Sequence, residues 1–403
     1  MAERMGFAVG VFEEGYLRPD HVTFEPIGVN GHSQFHQDLA EWLQQQALQD
    51  HQEALQQLDA EAGFLPSALS LGKGDLPKQP EAPKLPQHHS VGNTYWHAAA
   101  WGMLYFFAAW LGQFFWNNTL HHRRMSVFDA PWWWLSFGRK AWYRVKERNV
   151  QALLEGQKRH KFFLVPLQVH NDAQITVHSG YESVCGFIDH VMRSFAGALL
   201  RECQPDKQLP PGSESVQGDM LVFKHHPMDR GHRNYGKAVR LLAQRHGLQG
   251  RVLYIHDQHL PSLLKACKGV VLVNSTTGLS ALGHGAPVKV CGSALYDLPR
   301  ITFQGRLNDF WFQARSAVPD AEVLRRFKAA LIKRTQLNGS FYRKLPQVRW
   351  RCGVALQGQM ALRLWPKPKA AAPVRQPVAQ ANKRKPRRAR GKARGAVGKA
   401  PAL

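Results

Sequence analysis

Cysteine is scarce and unpaired in pattern. Cys185, Cys203, Cys267, Cys291 and Cys352 are odd in number and far apart, with no CxxC or Cys/His ligand spacing. That excludes a disulfide framework and a zinc site of the usual kind, and it fits a reduced, cytoplasmic setting. Acidic residues are also in short supply, 29 Asp and Glu against 53 Lys and Arg. No Asp-x-Asp pair occurs, so the usual holder of a metal–diphosphate is missing, and chemistry without a metal or cofactor is expected. The start, Met1 to Met5, lacks the charged, apolar and small-residue order of a signal peptide. No long aliphatic run exists either. The apolar stretch from Tyr95 to Trp116 is long enough to span a bilayer at ~20 residues. However, it carries Trp, Tyr and Phe throughout, whereas membrane spans collect Trp and Tyr at their ends. A buried helix or an interfacial one fits it better, and the following His121-His-Arg-Arg124, Trp132-Trp-Trp134, Arg139 and Lys140 agree with both.

The formal charge of +24 is unevenly placed, because twelve Lys and Arg and no acid lie between Lys367 and Lys399. That tail is Ala, Pro, Lys and Arg without periodicity, the composition of a disordered segment. It reads as a solubilising tail or as a membrane attachment, each cation near an anionic surface adding ~1 kcal/mol. Nucleic acid is not an expected partner, since no recognition fold accompanies the charge. The rest of the chain is still basic, which favours anionic partners such as nucleotides or lipid headgroups.

Along the chain, Gly6 to Phe12 reads as a buried strand running into Glu13-Glu14-Gly15, and Gln37 to Leu58 as a Gln-rich helix. Pro66, Pro77, Pro80, Pro83 and Pro86 mark a linker. A second helix is expected over Lys140 to Leu154. From Lys161 strands and helices alternate. Strands are expected at Phe162–Leu167, Met220–Phe223, Arg251–Ile255, Val270–Val273 and Val288–Val290. Helices are expected at Tyr181–Leu200, Tyr235–His246, Leu260–Cys267 and from about Thr277. Short apolar strands between helices imply a parallel sheet covered on both faces, with ligands at the carboxyl ends of its strands.

The polar motifs fall at those ends. Lys224-His225-His226-Pro227 offers a cation and an imidazole suited to a phosphate, although a His-Pro pair alone means little. Asn274-Ser275-Thr276-Thr277-Gly278 opens a helix whose free N–H groups suit an anion, and it reads equally as an ordinary N-cap. Gln168-Val-His-Asn-Asp172 places a carboxylate after a strand, either a nucleophile or base on a sugar or a plain helix cap. Glu13-Glu14, followed by Arg18, sets two carboxylates side by side. Their repulsion raises one pKa if they share a cleft, though such pairs are more often simply solvated.

Taken together and in order, five runs resemble one family: VFEEGYLRPDHVTFEPIGVNG, PLQVHNDAQI, FKHHPMDRG, YIHDQHLPSLL and GVVLVNSTTGLSAL. With the segment Phe303 to Trp311 they are similar to the KpsS/LipB capsule polysaccharide biosynthesis family across residues 6 to 350. The resemblance implies an α/β, GT-B-like fold of two Rossmann-like domains with an incomplete N-terminal one, a helical insert and a disordered basic tail. The corresponding segments are 1–60, a Pro-rich linker 61–92, a helical aromatic segment 93–160, a nucleotide-sugar domain 161–350 and the tail 366–403. Family members carry a longer stretch ahead of the EEGYLRPD run, so the N-terminal sheet is expected to lack strands and expose an edge. The implied activity is β-Kdo transfer from CMP-Kdo to a lysophosphatidylglycerol-type lipid, with retention, at the inner face of the cytoplasmic membrane beside other capsule biosynthesis and export proteins. The alternative is a non-catalytic assembly or export partner. Carried onto this sequence, Asp172 and Gln168 become catalytic, with His226 and Glu14, the latter by similarity to an acidic motif of bacterial sialyltransferases. Lys224, His226, Pro227, His256, Asn274, Ser275, Thr276 and Gly278 become nucleotide-sugar contacts, and Arg18 and Asn30 contacts for the acceptor or sugar.

Overall fold

Strands short and apolar enough to be hidden on both sides do form one sheet. The structure, a computed structural model, describes residues 10–25, 29, 33, 35, 89–92, 95–112, 115, 130–170, 179–204 and 208–343. All of these lie in one unit, residues 1–356. Strands β3 (Phe162–Pro166) and β6 (Gly269–Leu272) are buried at every position. They take the centre, where a parallel sheet is covered on both faces. Beside β3 come β4 (Met220–Lys224) and β5 (Val252–Ile255), and beside β6 comes β7 (Val288–Val290). The order is β5-β4-β3-β6-β7, with every pair parallel. After β5 the chain therefore crosses back past β3 to start β6. This reversal opens a crevice between the carboxyl ends of β3 and β6, the place where such sheets bind ligands.

Alternation along β3 sends Phe162 and Leu164 into one core and Phe163 and Val165 into the other. The first core is closed by α3 (Val150–Glu155), α6 (Leu260–Ala266), α7 (Thr277–Gly283) and α9 (Ala321–Thr335). The second is closed by α4 (Val184–Glu202), α5 (Gly236–Arg245) and α8 (Leu307–Gln313). Ser183 caps α4 by accepting from the Gly186 N–H at 3.2 Å. Trp311 on α8 sets its ring edge-on to Phe163 and Phe195, and its Nε1 donates to Ser194 Oγ at 2.8 Å. Each such aromatic or aliphatic side chain contributes roughly 1.5–3 kcal/mol by leaving water.

Of the buried strand expected over Gly6 to Phe12, residues 6–9 lie outside the described residues and the remainder differs from the expectation. Among the described residues, β1 spans Val11–Glu14 and pairs antiparallel with β2 (His21–Glu25), which pairs with β8 (Gln336–Asn338). β1 is an edge of this three-stranded sheet, so Phe12 is 40% exposed. Gly15 turns β1 toward β2 so closely that a Cβ there would lie 2.1 Å from the His21 carbonyl oxygen. Behind the turn, Tyr16 and Leu17 pack into the core that holds α9.

Before the parallel sheet come α1 (Tyr95–Gly112) and α2 (Ala130–Lys146). The single helix expected over Lys140 to Leu154 is instead two, α2 and α3, separated at Glu147 to Asn149. At the break the Glu147 carboxylate is taken up by backbone and side chain after β5. On α1, Trp96, Trp101 and Phe107 are exposed. No described helix is long and apolar enough to cross a membrane. The helix expected over Gln37 to Leu58, the prolines from Pro66 to Pro86, the His121 to Arg124 segment and the basic tail lie outside the described residues.

Candidate functional site

Four strand ends converge at the carboxyl edge of the parallel sheet. After β3, Gln168 is buried and its Nε2 donates to Asn274 Oδ1, beyond β6, at 2.9 Å. This bond spans the crevice where the strand order reverses. It brings two of the expected motifs into contact although 106 residues separate them.

At the end of β4 the roles divide. Lys224 is the last residue of the strand, not part of the loop as expected, and it is buried. Its Nζ donates to the His256 carbonyl at 2.8 Å, and burial lowers its pKa. It therefore braces β4 against the segment after β5. His225 Nδ1 is hydrogen-bonded to the Tyr254 hydroxyl at 2.7 Å, and burial pushes the pKa of the ring down to about 3, so it is neutral. His226 is half-buried and caps the short 3-10 turn Pro227–Asp229, its Nδ1 accepting from the Met228 N–H at 3.2 Å. A neutral His226 consequently carries its proton on Nε2. Pro227 is exposed and opens that turn.

After β5, the Glu147 carboxylate accepts from His256 twice, from Nδ1 at 2.6 Å and from the backbone N–H at 2.9 Å. Tyr143 stacks on the His256 ring at 3.4 Å between centroids. Burial raises the Glu147 pKa, but the hydrogen bonds and charge of His256, with Gln258, outweigh it and hold the group below its ordinary value. Arg230 and Asp257 form an ion pair alongside.

After β6 the turn expected to hold an anion opens α7. The Thr277 N–H donates to Ser275 Oγ, Gly278 N–H to the Ser275 carbonyl, and Leu279 N–H to the Thr276 carbonyl. These three N–H groups close the turn. Thr276 is the N-cap of α7 without a side-chain cap bond, and the Tyr296 hydroxyl donates to the Ser275 carbonyl. Gly278 is buried, and a Cβ there would stand 2.2 Å from the Tyr296 hydroxyl oxygen, so close packing explains this glycine.

A second loop pair was not foreseen. His170, two residues after Gln168, donates its backbone N–H to Asp229 Oδ2 at 2.9 Å, and its Nδ1 lies 2.6 Å from Asp229 Oδ1. Asp229 is fully buried and also accepts from the Tyr235 hydroxyl at 3.3 Å. Asp229 stands in the His-His-Pro-Met-Asp run, so its proximity to the motif was a usable signal. Glu147 and Tyr143 have none, because their place is set by packing of α2 on the sheet.

Buried polar atoms without a partner are costly, at ~1–3 kcal/mol each, and rare in folded proteins. Among the described residues six side-chain atoms are in that state, and five belong to this edge: Gln168 Oε1, His225 Nε2, Arg230 Nε, His256 Nε2 and Asp257 Oδ2. Donors and acceptors are both represented, which suits a polar ligand that completes them. An open cleft of about 490 Å³ lies at the end of β7, lined by Tyr181, His190, Lys289, Asp297 and Arg306 among others. It includes none of the five atoms, and the hydrogen-bonded cluster identifies the site better than that shallow opening does.

Not every expected site residue joins the cluster. Glu14 pairs with Arg18 at 2.8 Å and accepts from the Tyr342 hydroxyl at 2.8 Å. These partners belong to the antiparallel sheet and its surroundings, and none is a member of the strand-end cluster. Asp172 and Asn30 lie outside the described residues. No group of three or more His, Cys, Asp or Glu that could hold a metal occurs among the described residues.

Comparison with known proteins adds relatives to this geometry. A family model described as "Capsule polysaccharide biosynthesis protein" matches residues 1–106 and 77–342. The chain is 33% identical over 342 residues to the Capsule polysaccharide export protein KpsS of Escherichia coli, covering 85% of this chain and 74% of that one. It is 32% identical over 335 residues to the Capsule polysaccharide modification protein LipB of Neisseria meningitidis serogroup B, covering 82% and 68%. Among solved structures, Thermosulfurimonas dismutans KpsC, beta Kdo 2,7 transferase, is matched with a TM-score of 0.30 and 18% identity, over 58% of this chain and 66% of that one. That score is too low to bear on fold or function.

Proposed function

Because the chain belongs to the capsule polysaccharide biosynthesis protein family, and so has a role in capsule synthesis, we propose that it is a glycosyltransferase transferring β-Kdo from CMP-Kdo to a lysophosphatidylglycerol-type lipid acceptor. The observation that carries this reading is the cluster of unsatisfied buried donors and acceptors after β3, β4 and β5, next to the crevice that the Gln168–Asn274 bond spans. A nucleotide sugar carries phosphate, carboxylate and hydroxyl groups able to complete donors and acceptors alike.

In this reading His226 donates from Nε2 to the phosphate of CMP and stabilises it as it leaves. Lys224 contributes its charge from beneath, through the His256 backbone it holds. Gln168 and Asn274 fix the spacing across the crevice for the sugar. Asp172 attacks the anomeric carbon, the bond to the CMP phosphate oxygen breaks, and a glycosyl-enzyme forms. The acceptor hydroxyl then displaces the carboxylate, and two inversions give net retention.

Peripheral contact with a membrane fits the same reading. On α1 the aromatic side chains Trp96, Trp101 and Phe107 are exposed at 71%, 59% and 56%. α2 adds Arg139, Lys140, Arg144 and Lys146 and no acidic residue. Exposed aromatics beside cations favour the headgroup region of an anionic bilayer.

The test is incubation of the purified full chain with CMP-Kdo and lysophosphatidylglycerol, with the lipid product read by mass spectrometry. The expected result is a glycosylated lipid, lost in Asp172→Ala. Parental turnover by Asp172→Ala would overturn the nucleophile, and no product from the parent would overturn the activity. A second reading is favoured by the word "export" in the name of the Escherichia coli relative. Unchanged capsule output in cells carrying Asp172→Ala and His226→Ala would support that non-catalytic role.

A further inference from the structure

We infer that His170 is the general base that deprotonates the acceptor hydroxyl, and that Asp229 is the positioning residue that holds it for this task. The inference rests on the transferase reading and extends it to groups which that reading leaves unused.

Asp229 has no exposed side-chain surface and is the last residue of the 3-10 turn that His226 caps. Both its oxygens are engaged by the loop after β3: Oδ2 accepts from the His170 N–H at 2.9 Å, and Oδ1 lies 2.6 Å from His170 Nδ1. An ionised carboxylate only accepts, so Nδ1 must carry the proton. The neutral ring then has its lone pair on Nε2. Holding one ring nitrogen with a buried carboxylate is how an imidazole is fixed in tautomer and orientation for proton transfer.

The His170 side chain is 28% exposed, unlike the ring of His256, which is 6% exposed. Among the described residues nothing hydrogen-bonds His170 Nε2; the nearest ring is that of His232, at 5.9 Å between centroids. Position adds to this, for His170 lies two residues beyond Gln168, at the crevice, and is tied to the turn that presents His226. A purely structural staple between the two loops needs only the backbone N–H bond. The added imidazole bond at 2.6 Å, with its far nitrogen left open, is what a base requires.

The acceptor hydroxyl gives its proton to His170 Nε2, and its oxygen forms the new bond to the anomeric carbon of the enzyme-bound sugar. The bond from that carbon to the enzyme carboxylate breaks, and the electron pair returns to the carboxylate. His170 later releases the proton to water.

The experiment separates donor cleavage from transfer in the full chain. CMP released in the first turnover is measured by rapid quench, and glycosylated lysophosphatidylglycerol by mass spectrometry. For His170→Ala, transfer is expected to fall by about 10²–10⁴-fold, the usual worth of a general base. The first-turnover release of CMP should stay within about threefold of the parent, and added imidazole should restore transfer in part. Asp229→Asn, which keeps size and removes charge, is expected to lower transfer with the same retained release. Transfer by His170→Ala within about threefold of the parent would overturn the inference, as would an equal loss of release and transfer. Absence of CMP release from the parent would instead overturn the transferase reading, so the two failures are told apart.

Discussion

Glu147 shows most clearly how one side chain organises this protein. It ends the α2 helix, reaches the segment after β5, and satisfies both the backbone and the imidazole of His256. Removing it leaves two buried donors without a charged acceptor. Glu147→Ala should therefore lower unfolding free energy by on the order of 3 kcal/mol in urea titrations, against less for Glu147→Gln. Its pKa is held below the ordinary 4.5, so its contribution is present above that value and is lost as pH falls through the folded-state value. Acid titrations of stability should accordingly be shallower below pH 4.5 in Glu147→Gln than in the parent. An unchanged acid slope would show that the carboxylate is not ionised in the fold. Neither partner was legible in the sequence as a pair, because 109 residues separate them and no local pattern links an acid at a helix end to a histidine after a strand.

Among the elements, the parallel strands were the readable part. Phe162–Pro166, Met220–Lys224 and Gly269–Leu272 are apolar at nearly every position, and strands buried on both faces need that composition. β8, Gln336–Asn338, was not readable, since its polar residues gain meaning only beside β2. There Gln336 accepts from the Tyr16 N–H at 2.9 Å and donates to Thr23 at 3.0 Å. The helix start at Thr277 was legible as a location, but the turn bonds of Thr277, Gly278 and Leu279 and the close packing of Gly278 were not. Gly278 tests that packing. Adding a methyl group would press on the Tyr296 ring, whose Cζ would lie at 2.4 Å, so Gly278→Ala should cost ~1–3 kcal/mol by thermal unfolding. Full stability in that variant, with weakened ligand binding, would return the glycine to a ligand-facing role.

For the whole molecule, charge and exposed aromatics act together. If α1 and α2 meet an anionic bilayer, sedimentation with phosphatidylglycerol vesicles should weaken as salt is raised, because exposed charges are screened beyond ~10 Å at 0.1 M. Replacing Trp101 and Phe107 by Asp should weaken it further at low salt. Binding to uncharged vesicles as strong as to anionic ones would remove the electrostatic part. The α/β class and the order of motifs were legible over most of the chain because the strand-end motifs recur in sequence order. Their convergence was not, since only the reversal of strand order between β5 and β6 sets Gln168 beside Asn274. That convergence carries the proposed function. Calorimetric titration of the full chain with CMP tests it most directly. Micromolar or tighter binding is predicted, weakened about tenfold or more (about 1.4 kcal/mol) in both Gln168→Ala and His226→Ala. Parental affinity in both variants would contradict the account and place the nucleotide elsewhere.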